Sequence, residues 1–119
     1  MPSKTYADLV VEAKQVIPEV SPRETMQLME QPDTIVIDCR EPNEFNLGAI
    51  PGAHLIPRGV LEQTIEAVAS RSQKVILYCA TGNRSALAAV SLREMGYADV
   101  ASMQLGFRGW VEAGGGVAD

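Results

Sequence analysis

Residues 74–79, Lys-Val-Ile-Leu-Tyr-Cys, give five consecutive residues with no polar alternation. A helical pattern, Ala86-Leu87-Ala88-Ala89-Val90-Ser91-Leu92, follows after a loop of only six residues. A strand without alternation must be covered on both faces, because either face left in water would expose apolar side chains. A covered strand that passes directly into a helix is the repeating piece of a layered sheet with helices packed on it. Few architectures accept such a piece, and the remainder of the chain extends it.

Thr34-Ile35-Val36-Ile37-Asp38 is a β-branched run bounded by turn residues and reads as a second central strand. Residues 53–57 and 99–103 read as further short strands, and residues 16–20, interrupted by Pro18, as an edge strand. Helices are expected over residues 5–14, with Thr5 as N-cap and Asp8 three positions on, and after Ser21-Pro22. Others are expected at 61–70, where Leu61, Ile65 and Val68 share a face, and at 106–113, with one helical turn at 41–45. Strands alternating with helices predict an α/β fold with a mostly parallel central sheet of about five strands and helices on both faces. At 119 residues the chain suits one core: an N-terminal helical extension over 1–16 and a domain over 17–119.

Composition narrows the classes of function. The 46% apolar and 21% charged content is that of a globular chain. A net charge of −5 with no basic stretch argues against nucleic acid and against an anionic membrane surface. Lys4, Asp8, Glu12 and Lys14 interrupt the first twenty residues, so no leader or membrane span is read there, and a cytoplasmic location is expected. Two cysteines in such a chain are expected as reduced thiols rather than a disulfide.

Cys79 is the candidate nucleophile. It lies where the buried strand becomes a helix N-terminus, above unpaired backbone N–H groups and the positive end of the helix dipole. That setting favours a thiolate, which is the reactive form. Gly82 and Asn83 tolerate left-handed backbone, Arg84 adds a cation, and no residue from Ala80 through Thr81 to Ser85 is acidic. Strand carboxyl ends are where ligands collect in such sheets.

Four ordered blocks then carry a resemblance. They are Asp38-Cys39-Arg40-Glu41-Pro42-Asn43-Glu44-Phe45, Gly48-Ala49-Ile50-Pro51-Gly52-Ala53, the Cys79 loop, and Gly106-Phe107-Arg108-Gly109-Trp110. Together, over roughly residues 17–114, the chain resembles the single-domain rhodanese sulfurtransferases. The resemblance implies a rhodanese-like domain and a thiosulfate sulfurtransferase-type activity. Cys79 would take the sulfane sulfur of thiosulfate or a persulfide donor, and pass it to cyanide or a thiol acceptor. The backbone of Ala80, Thr81, Gly82, Asn83, Arg84 and Ser85 would hold the charge, with no metal and no organic cofactor. A protein sulfur donor or acceptor is also compatible with it. The chain departs from the family pattern at Ala80, where a polar or basic residue is common, and at Leu105, where many members have the first glycine of a pair. Ala49 replaces a common histidine and Cys39 a usual aliphatic residue.

Each residue also has a plainer reading. Cys79 could be a small buried hydrophobe. Arg84 could contact an anion or form an ion pair with Glu44 or Asp38. Asp38, Arg40, Arg58 and Trp110 are candidate borders of the site, against a structural charge pair, a solvated charge and a core aromatic respectively. Cys39 could resolve an oxidised Cys79 or be a passive core thiol. His54 is the sole histidine, which gives metal binding little support. Two other functions remain open: a persulfide carrier with little turnover alone, and a rhodanese-fold cysteine phosphatase or arsenate reductase. The latter enzymes resemble Cys-(five residues)-Arg, one residue longer than the spacing from Cys79 to Arg84.

Overall fold

The computed structural model describes residues 2–119. Five strands form one sheet in the order β1-β5-β4-β2-β3, all parallel. They are β1 (Glu19–Val20), β2 (Thr34–Asp38), β3 (His54–Leu55), β4 (Lys74–Tyr78) and β5 (Val100–Met103). The two runs singled out in the sequence, β4 and β2, are adjacent at the centre and pair over five positions from Thr34↔Lys74 to Asp38↔Tyr78. As expected, Pro18 precedes a strand at the sheet edge.

Helices α1 (Tyr6–Val16), α2 (Pro22–Leu28), α3 (Pro42–Leu47), α4 (Leu61–Thr64), α5 (Asn83–Glu94) and α6 (Gly106–Glu112) connect or flank the strands. The caps follow the sequence: Thr5 with Asp8 and Ser21 with Glu24 close reciprocal capping boxes, each satisfying two otherwise orphaned N–H groups. Alternation along the strands divides the core in two. Ile37, Cys39, Val75, Leu77 and Cys79 face one cluster with Leu61, Ile65, Leu92 and Tyr97. Val36, Ile76 and Tyr78 face the other with Met103 and Trp110. No helix among the described residues is long and apolar enough to cross a membrane.

One expected element differs. The helix anticipated over 61–70 is broken into α4 and a tighter turn, Ile65–Ala67, preceded by another at Arg58–Val60. Thr64 and Ile65 are consecutive β-branched residues that crowd the preceding turn, and the backbone tightens there. Leu61 and Ile65 remain fully buried, so the apolar face survives although the regular helix does not.

Candidate active site

The Cys79 loop begins where β4 ends. Gly82, at φ +99°, makes the left-handed turn that starts α5. A side chain at this point would be strained by the backbone and tightly placed: a Cβ on Gly82 would lie 3.2 Å from the Leu105 backbone nitrogen. The curled chain aims donors inward. The N–H groups of Gly82 and Ser85 point at the Cys79 sulfur at 3.1 and 3.4 Å, and Ser85 Oγ lies 3.5 Å from it.

The outward-facing carbonyls of the loop are held from the other side by α6. Phe107 N–H donates to the Cys79 carbonyl at 2.8 Å and Arg108 N–H to that of Ala80 at 3.2 Å. This close approach requires Gly106, because a Cβ there would sit 2.4 Å from the Ala80 carbonyl carbon. Carbonyls anchored outward leave the amides pointing inward. The first helical turn of α5 and the N-terminus of α6 thus grip one loop from opposite sides.

Cys79 is buried. Burial opposes the thiolate, but the Ser85 hydroxyl and the N–H groups of Ser85, Thr81 and Gly82 more than offset it. The thiol is held below its ordinary value. The arrangement can stabilise a negative charge on sulfur, the logic of an oxyanion hole applied to a larger atom. A recess of about 310 Å³ lined by Thr81, Leu105, Arg108, Gly109 and Glu112 opens beside the loop.

Arg84 pairs with Glu44 of α3 at 3.4 Å and makes no hydrogen bond to the sulfur. Of its two readings, the geometry is that of the ion pair spanning the loop. Asp38 and Arg40 are a buried pair at 2.7 Å, and Arg40 also donates to the Gly48 carbonyl and lies 4.4 Å over the Phe107 ring. They stand one residue before and after Cys39, and therefore on the opposite face of the sheet from Cys79. Trp110 is on that opposite face too, in the second core cluster with its Nε1 bonded to the Gly116 carbonyl at 2.7 Å. None of these three borders the sulfur. Arg58 is tied to Glu62 and Ser91 and lines a larger cleft of about 520 Å³ between α1 and α5. No residue of the Cys79 loop lines that cleft.

Cys39 shares the sheet face of Cys79 and is free, as Cys79 is. Its thiol donates to the Tyr78 carbonyl at 3.2 Å, and burial, followed by the nearby Cys79 and Asp38 charges, pushes it up to about 12. One residue was missed in the sequence. Ser102 of β5, fully buried, lies 2.8 Å from Ser85 Oγ and so sits next to the cysteine's own hydroxyl partner. The available signal was a lone hydroxyl inside a strand that is otherwise apolar.

Comparison with known proteins agrees with this fold. The Rhodanese-like domain family matches residues 21–113. The chain is 32% identical over 99 residues to the thiosulfate sulfurtransferase GlpE of Pseudoalteromonas translucida, spanning 79% of this chain and 89% of that one. It is 28% identical over 95 residues to a Bacillus subtilis protein described as a putative sulfur carrier, YrkF. That match covers 79% of this chain but only about half, 51%, of YrkF. Among solved structures, a Rhodopseudomonas palustris protein of unknown function, described as a possible tyrosine phosphatase, superposes with a TM-score of 0.88. It is 32% identical, with 99% of each chain covered. With most of its length matched by that domain family, the chain belongs to the rhodanese-like proteins.

Proposed function

We propose that the protein is a sulfurtransferase working through a persulfide on Cys79. The observation that carries the reading is the convergence of two N–H groups and one hydroxyl on a single sulfur atom, in a chain of the rhodanese-like family. In the first step the Cys79 thiolate attacks the outer sulfur of a donor. With thiosulfate, a new S–S bond forms to Cys79, the sulfur–sulfur bond of the donor breaks, and sulfite leaves with the electron pair. In the second step cyanide or a thiolate attacks the terminal sulfur, and the Cys79 thiolate is regenerated as thiocyanate or a new persulfide leaves. Donors aimed at the sulfur stabilise the anion present before, between and after these steps.

The loop supplies no side-chain cation directed at the donor, since position 80 is alanine and Arg84 is engaged with Glu44. A persulfide on a small molecule or a protein therefore fits better than the thiosulfate dianion. Similarity to a described sulfur carrier supports the related reading, a carrier that turns over only with its partner. The neighbour described as a possible tyrosine phosphatase supports a phosphoryl reading. Against it stand the four residues between Cys79 and Arg84 and amides that converge on one atom rather than on a tetrahedral anion. A cytoplasmic setting belongs to the same proposal.

The test is the intact mass of the protein after exposure to thiosulfate or a persulfide donor. A gain of one sulfur, removed by cyanide and absent in Cys79→Ser, is the expected result. Cys79-dependent hydrolysis of p-nitrophenyl phosphate faster than sulfur transfer from every donor tried would replace this reading with the phosphatase.

A further inference from the structure

Ser102 lies on β5 opposite Leu77 of β4, two residues before Cys79 and on the same sheet face. The first turn of α5 brings Ser85 back over that point, so that Ser85 Oγ is 2.8 Å from Ser102 Oγ and 3.5 Å from the Cys79 sulfur. Both hydroxyls are fully buried. A hydroxyl has one proton and can donate in one direction at a time. When Ser85 donates to a thiolate, its oxygen is left to accept, and Ser102 is the hydroxyl in place to donate to it. When Cys79 is a thiol, its S–H donates to Ser85, and Ser85 can turn its proton to Ser102.

We propose that Ser102 is a positioning residue for Cys79, holding the Ser85 hydroxyl in the orientation that donates to the anionic sulfur. The inference rests on Cys79 being the reacting thiol of the proposed function. The two forms are not equal: in the anionic form both hydroxyl protons have an acceptor within the chain, whereas in the thiol form the Ser102 proton must turn away from it. The form ending on an anion is charge-assisted, and a donor behind Ser85 strengthens it by polarisation, whereas the thiol form is a neutral relay. Ser102 therefore favours the ionised sulfur, in the same sense as the lowered Cys79 thiol.

The other groups around the sulfur are accounted for. From β2 comes Cys39, its thiol pushed up by burial, and Asp38 and Arg58 act on that thiol in opposite senses. From α5 comes Arg84, paired with Glu44 of α3. The α6 side contributes backbone N–H groups to the Cys79 and Ala80 carbonyls, and its charged side chains beside the loop, Arg108 and Glu112, pair with each other at 3.4 Å. From β5 no other group titrates, since the strand reads Val-Ala-Ser-Met. Substituting Ser102 leaves every one of these in place.

The experiment is the pH profile of Cys79 alkylation by iodoacetamide, in a Cys39→Ser background so that one thiol is read. It compares the parent with Ser102→Ala, Ser85→Ala, the double variant and Ser102→Thr. Ser102→Ala is expected to move the profile to higher pH and to slow alkylation roughly threefold below the midpoint, while Ser102→Thr restores it. In the Ser85→Ala background the Ser102→Ala effect should vanish, because Ser102 acts only through Ser85. A thermal melt of each variant checks that it is folded. An unchanged profile in folded Ser102→Ala, or the same shift with and without Ser85, overturns the proposal. The readout needs no sulfur donor, so a failure of Ser102 and a failure of the sulfurtransferase reading are told apart.

Discussion

Cys39 and Cys79 follow neighbouring parallel strands, point to the same sheet face and are equally buried, yet their thiols are driven in opposite directions. Burial raises both; the difference lies in what the chain does next. After Cys79 it curls through Gly82 into α5, turning N–H groups and the Ser85 hydroxyl onto the sulfur. After Cys39, the Arg40 guanidinium and N–H turn back to the Asp38 carboxylate, so the local donors serve that carboxylate. The Cys39 thiol is left with one partner, the Tyr78 carbonyl, which accepts and so favours the protonated form. Position at a strand end does not activate a thiol. Donors aimed at it do.

The largest expected effect separates the two directly. Cys79→Ser should reduce cyanide-dependent thiocyanate formation to background while leaving the melting curve close to the parent's, because the swap is nearly isosteric and removes the nucleophile. Cys39→Ser should keep most of the activity, since a serine hydroxyl can still donate to the Tyr78 carbonyl. Substantial turnover in Cys79→Ser, or its loss in folded Cys39→Ser, would invert the comparison.

The second effect concerns stability at alkaline pH. Cys39 keeps its proton in the folded protein up to about 12, whereas the unfolded chain releases it near the ordinary thiol value of about 9. A raised acid pKa stabilises the fold below the unfolded value and loses that contribution as pH rises toward the folded one. Over that window of about three units the loss is on the order of 4 kcal/mol. Cys79 works in the reverse sense: its depressed thiol contributes above the unfolded value and loses that contribution as pH falls through the folded one. Melting temperatures between pH 9 and 11 should therefore fall less steeply for Cys39→Ser than for the parent, whereas Cys79→Ser should differ from the parent below about pH 9, where it lacks the gain in stability with rising pH that the Cys79 thiol supplies. Parallel curves for all three would remove the electrostatic difference between the two sites.

What the sequence made legible follows the same division between local and distant. The strand, loop and helix around Cys79 are contiguous, so their order and the inward N–H groups could be read from composition and spacing alone. The central pair β2 and β4 was legible because both are β-branched or unbroken apolar runs. Ser102 was not, because its contact with Ser85 depends on the register Leu77↔Ser102, which no local pattern encodes. The partner of Arg84 was narrowed to two carboxylates, and only the placement of α3 selects Glu44. Asp38, Arg40 and Trp110 belong to the right end of the sheet but the wrong face. For Asp38 and Arg40 strand parity alone would have shown it, since each is one residue from Cys39.

The smallest effect tests whether the α6 grip on the Cys79 loop depends on the strained residue behind it. Leu105 has φ +67° with no glycine to ease it, and its side chain is 62% exposed. Left-handed backbone costs a residue bearing a Cβ roughly 1–2 kcal/mol. Glycine avoids that strain but loses about 0.5–1 kcal/mol more chain entropy on folding. Truncation to alanine or glycine removes the same outer atoms, so comparing the two isolates the backbone. The usual order, alanine above glycine, should be inverted here, with Leu105→Gly more stable than Leu105→Ala by up to about 1 kcal/mol, several degrees in melting temperature. Alkylation of Cys79 should be unchanged in both, because Phe107 and Arg108, not Leu105, supply the N–H groups that hold the loop carbonyls. If instead relieving Leu105 alters the Cys79 profile, the strain is transmitted into the loop, and the contrast between the two cysteines extends back to the turn that precedes α6.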